Sequence, residues 1–200
     1  MERRKFVVGL GSVAAGGAAA MGSGAFTSVT SKRTASVQTV NDGEAYLGLK
    51  EIPKSPNESY VDYGDDGHLR IRMDGDNPTD GGGKGVNSDS KTVFKDLFKI
   101  VNQGKQKIHV FVFLIGPHAK RVGLFTDSYK PCYGLKLGVG DSVNVGLLTS
   151  THGLKADQQL LNNIYIAAIG EENPEDGDYE GAAKEFVPED AVANNELPSE

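Results

Sequence analysis

The chain has 200 residues, a net charge of −6, 26 glycines, one cysteine and no tryptophan. One cysteine excludes a disulfide-stapled scaffold, while 38% apolar residues over this length supply one domain with a real core. The acidic excess is confined to residues 171–200, with 11 carboxylates against one lysine. Residues 26–170 carry 17 basic and 15 acidic groups, so no basic, nucleic-acid-binding face is expected.

Residues 1–25, MERRKFVVGLGSVAAGGAAAMGSGA, have a basic head, a charge-free middle and small residues before Phe26. That layout is an export signal, with cleavage expected after Ala25. Adjacent Arg3 and Arg4, followed by Lys5 and Phe6, match the twin-arginine type that exports folded proteins. The alternative, an uncleaved anchor, suits the segment less, because its six glycines and two serines leave it weakly hydrophobic. The expected location is outside the cell or on its surface, with membrane contact only through the signal before cleavage.

The run RTASVQTV from Arg33 alternates, with Ala35 and Val37 on one face, and predicts a strand over 33–40. Asn41-Asp42-Gly43 signals a turn, and an apolar stretch runs from Ala45 to Leu49. Strands are predicted at Tyr60 to Tyr63 and His68 to Met73, and a long one at Thr92 to Asn102 with Phe94, Phe98 and Ile100 inward. Glycines and Pro78 exclude regular structure over 74–85. In IHVFVFLIG, Ile108, Val110, Val112 and Leu114 share one face, with Phe111 and Phe113 on the other. Such a strand is central in its sheet or caught between layers. Val122 to Phe125, Cys132 to Leu137, Ser142 to Leu148 and Asn163 to Ile169 complete a set of nine to ten strands, with one or two helical turns at Lys155 to Leu161. The expected fold is all-β, a sandwich or jelly roll, occupying 26–170. Residues 171–200 have few large apolar groups and are expected to be disordered, apart from a short piece around Phe186 and Val187 that could dock.

Candidate chemistry is sparse. The four histidines are scattered without an HExxH pair, and serine-hydrolase and phosphate-loop signatures are missing. The chain is therefore not expected to be an enzyme or to need a cofactor. Asp74, Asp76 and Asp80 gather oxygens of the kind calcium takes, but Pro78 stands where an EF-hand needs a ligand, so a solvated loop is the plainer reading. Asp62, Asp65 and Asp66 form a second acidic turn. Asn57-Glu58-Ser59 is an N-glycosylation sequon. Cys132, among aromatics in YKPCYGL, suits a small buried hydrophobe.

The segments ERRKFVVGLGSVAAGGAAAMGSGAFTS, RTASVQTVNDGEAYLGL, GVNSDSKTVFKDLFKIVNQGKQKIHVFVF, LKLGVGDSVNVGL and NNIYIAA resemble a family of secreted haloarchaeal proteins of unknown function. That family in turn resembles the bacterial TasA/camelysin matrix proteins in its signal, strand order and FKIVNQG-type stretch. The resemblance implies a jelly-roll subunit of extracellular filaments or biofilm matrix. Camelysin-like relatives carry a metalloprotease label, for which no zinc motif exists here. The expected partner is a second copy, recruited when residues 26–40 (Val29, Ala35 and Val37 filling pockets) add as a strand to a neighbour's open sheet edge. The competing expectation is a monomeric surface module that binds glycan, calcium or another protein.

Overall fold

The computed structural model describes residues 36–75, 77, 83–172 and 177–199. Contacts divide the chain into residues 1–38 and 39–200. In the first unit only 36–38 are described. Residues 36–40 form no strand, contrary to the alternation of RTASVQTV, and the predicted residues 33–35 lie outside the described residues. Alternation reports that a segment could cover a sheet, not that a sheet is there to receive it.

The second unit is an all-β sandwich. Its first sheet runs in the order β1 (Leu47–Glu51), β4 (Lys91–Asn102), β8 (Ser142–Ser150), β6 (Val122–Thr126). In the second sheet, β5 (Ile108–Ile115) pairs along one edge with β9 (Asn163–Gly170). Its other edge is shared end to end by β7 (Tyr133–Leu137) and the short β10 (Val192–Ala193). A separate hairpin, β2 (Val61–Tyr63) with β3 (Leu69–Ile71), brings Val61, Leu69 and Ile71 against the core. All these pairings are antiparallel.

Period-two alternation accounts for the layers. Phe98, Ile100, Leu124, Val145 and Leu147 from the first sheet meet Val110, Val112 and Leu114 from the second. Near its middle β4 carries an irregularity, since Phe94 to Phe98 on β4 oppose only Leu147 to Val145 on β8. Asp96 sits there at φ 51°, held by Asn144 Nδ2 donating to its carboxylate at 3.0 Å. Two residues are inserted, so side chains before and after keep their faces. Asn102, almost fully buried, closes the β4–β5 turn: its Nδ2 donates to Gln106 O (2.8 Å) and Leu137 O, and its Oδ1 accepts from Gly104 N–H.

The acidic tail is not disordered where it is described. Residues 177–199 form a strap: helix α1 (Tyr179–Lys184), an acidic loop, β10, and a final turn. Asp178 caps α1 by accepting from Gly181 N–H at 2.8 Å. Ala183, Tyr179 and Val187 cover Phe111 and Phe113, the outward face of β5. Asn194, 1% exposed, spans the two sheets. Its backbone N–H donates to Val112 O, its Oδ1 accepts from Leu124 N–H at 3.0 Å, and its Nδ2 donates to Leu124 O at 2.7 Å. Composition misleads here because the apolar surface that orders the strap belongs to the sheet, not to the strap. The anticipated docked piece is half right: Val187 packs, but Phe186 is 72% exposed.

The helical turns predicted at Lys155 to Leu161 are absent. Asp157 has φ 63°, which breaks a helix, and Leu160 instead bonds His118 through its carbonyl while packing on the core.

Candidate assembly site

The second sheet ends in an open edge. Val112 donates its N–H to Cys132 O and accepts from Asn194 N–H, so the even-numbered residues of β5 bond toward β7 and β10. The odd-numbered ones bond toward β9, and Lys107 O accepting from Glu171 N–H fixes the phase of that ladder. On β9 this engages Asn163, Tyr165, Ala167 and Ile169 and leaves the N–H and C=O groups of Ile164, Ile166, Ala168 and Gly170 on the far edge. No strand pairs with that edge among the described residues.

The edge borders a groove of about 1320 Å³. Its lining includes Ile164, Ile166, Leu49, Leu69, Ile71, Phe98 and Leu147, together with polar and charged groups such as Asp66, Arg70, Arg72 and Lys84. Thr149 also lines it, 3% exposed, and its Oγ1 has no hydrogen-bond partner among the described residues. A buried hydroxyl without a partner costs free energy, on the order of 1–3 kcal/mol, that an entering donor or acceptor would recover. The opposite side of the sandwich is closed: Asn194 and the Cys132 N–H to Leu124 O bond (3.0 Å) tie β6 to the second sheet.

Of the residues expected to take part in assembly, Val37 is described and is 94% exposed in chain without a strand partner. Val29 and Ala35 lie outside the described residues, as do the signal residues Arg3, Arg4 and Ala25. The sequence could not point to the acceptor, because alternation identifies faces of a strand but not which edge stays open.

The acidic loop offers no assembled cation site in the part described. Asp74 is exposed, Asp76 and Asp80 lie outside the described residues, and no group of three metal-ligating side chains is found among the described ones. In the second acidic turn, Asp62 pairs with Arg72 (3.0 Å) and Asp66 with Arg70 (3.1 Å). A hydrogen bond from His68 N–H, helped by Arg70, holds the Asp66 carboxyl below its ordinary range. Asn57, in the sequon, is half-buried, and its Nδ2 donates to Lys95 O at 2.6 Å, pinning the loop to the β4 irregularity. Cys132 is fully buried and free, its thiol pushed up to about 12 by burial. His109 is buried against the Tyr179 ring with centroids 3.8 Å apart.

Residues 40–158 match a family described as a protein of unknown function, DUF1102. No match is found among curated proteins. The matched span runs from β1 through β8 and ends before β9 and the strap.

Proposed function

The chain belongs to the DUF1102 family of proteins of unknown function, and from that premise we propose that it is a secreted, non-catalytic subunit of extracellular filaments or matrix, joined by strand donation. The open β9 edge, bordering a groove with Leu49, Leu69, Ile71, Ile164 and Ile166 in its lining, carries the reading. A strand laid there gains backbone hydrogen bonds to Ile164, Ile166 and Ala168, and its alternate side chains enter the groove. Residues 26–40 have the required alternation, and Val37 is already exposed. Each copy would donate to one neighbour and accept from another, which builds an open chain instead of a closed ring. The export-type start and the likeness to secreted haloarchaeal and TasA/camelysin-type proteins support the same reading.

Electron microscopy of the purified full chain tests this. Filaments are expected from the parent and not from Val37→Asp combined with Val29→Asp. A peptide of residues 26–40 should slow amide exchange at Ile164, Ile166 and Ala168. Filaments from the doubly substituted chain, or a peptide that leaves those amides unchanged, would overturn strand donation.

A further inference from the structure

The outer face of the first sheet is a lysine face. Lys91, Lys95 and Lys99 lie on one side of β4, and Lys50 of β1 sits directly opposite Lys99. Like charges in register across two strands destabilise a sheet. None of the four forms an ion pair among the described residues. The Lys50 ammonium turns to Gln103 Oε1 (2.6 Å), and that of Lys95 lies 5.0 Å from the centre of the Tyr129 ring. Val93 (42% exposed) lies between Lys91 and Lys95 on that face, and Tyr129 (48%), stacked on Phe125, lies beside Lys95.

The strap carries a complementary patch. Between α1 and β10 the loop projects Phe186, 72% exposed, flanked by Glu185, Glu189 and Asp190. These three carboxylates are exposed and form no ion pair among the described residues. Lys184, the single base in this stretch, is taken by Glu180 at 2.6 Å. One patch is thus an aromatic knob with an acidic rim, and the other an apolar spot with a basic rim. The lysine face lies on the first sheet, whereas helix α1, which leads into the acidic loop, packs on the second.

We propose that the lysine face of one copy docks on the acidic α1–β10 loop of a second copy, with Phe186 seated on Val93 and Tyr129. Aromatic anchors at the centre of a patch dominate such contacts, and the charged rim sets partner choice and encounter rate. Because the two patches differ, the contact is head-to-tail and leaves one of each free at the ends of every assembly. It uses neither the β9 edge nor residues 26–40, so it stands or falls independently of strand donation.

Sedimentation velocity of the full chain, in the parent and in a background carrying both Val29→Asp and Val37→Asp, tests the contact. Self-association is expected in both at low salt, and should weaken as salt is raised. Lys91→Glu with Lys95→Glu, or Glu185→Lys with Glu189→Lys, should each weaken it at least about tenfold. Combining all four reversals restores opposite charges across the contact and should recover most of the loss. Phe186→Ser, at an exposed position, should weaken association without lowering the melting temperature. The proposal is overturned if either reversed pair associates like the parent, or if the full chain is monomeric at low salt. It is also overturned if the fourfold variant is no better than the pairs, which would point instead to an anionic polymer on the lysine face.

Discussion

His109 shows what one side chain does in a layered β protein. It faces outward from β5 but is not in solvent, because Tyr179 of the strap lies flat on it. Burial lowers its pKa, Lys136 opposite on β7 and Lys107 add to that, and Glu171 opposes them. A histidine whose pKa is lower folded than unfolded binds more protons in the unfolded chain. Its contribution is fully present above its unfolded value of about 6.5 and is lost as pH falls through the folded value. His109→Phe keeps a ring against Tyr179 and removes the titration. Between pH 8 and pH 5 the parent should lose more melting temperature than this variant. Equal losses would show that His109 carries none of the acid sensitivity, and amide exchange in α1 would show whether the strap opens first. The apolar strand that holds His109 was legible in sequence; its partner Tyr179, about seventy residues away, was not.

Among the elements, β4 and β8 depend on one close approach. Gly146 of β8 faces the irregularity of β4, and a Cβ there would stand 2.6 Å from Phe94 O and 2.5 Å from Phe125 Cζ. The aromatic ring could move, but the backbone carbonyl belongs to the strand ladder and cannot yield without disturbing Asp96 and Asn144. Gly146→Ala should therefore destabilise by about 1–3 kcal/mol, the usual cost of overpacking. Chemical denaturation would check it, and an unchanged midpoint would show that the strands shift freely. Strand positions were largely legible: β4, β5, β6, β7, β8 and β9 all begin and end close to where alternation and turn residues put them. The two apolar faces of β5 were read as a strand central in its sheet or caught between layers, and it is both, though that the strap supplies one layer was not legible. Pairing order, the irregularity at Asp96 and the open edge of β9 were not legible, because period two records which face a residue takes and nothing about its neighbour strand.

At the scale of the whole molecule, the acidic tail reverses its expected role. Judged by its own composition it cannot order itself, and removing it should cost nothing. In the fold it completes the edge of β5 and roofs the second sheet. Deleting residues 172–200 would expose Phe111, Phe113 and Ile169 and leave Leu124 N–H and Val112 O without partners, while Leu124 O keeps its bond from Cys132 N–H. Each large apolar side chain returned to water costs about 1.5–3 kcal/mol, and each backbone group left buried and unpaired about 1–3 kcal/mol. A fall in melting temperature of more than about 10 °C is expected, since 1 kcal/mol corresponds to roughly 2–4 °C in a domain of this size. The point version, Asn194→Ala, removes two side-chain bonds to Leu124 and should cost about 3 kcal/mol. If the truncated chain melts with the parent, the strap lies on the sandwich without stabilising it. If Asn194→Ala alone reproduces most of the loss, the strap is held by its buried amide between the sheets more than by the helix over Phe111 and Phe113.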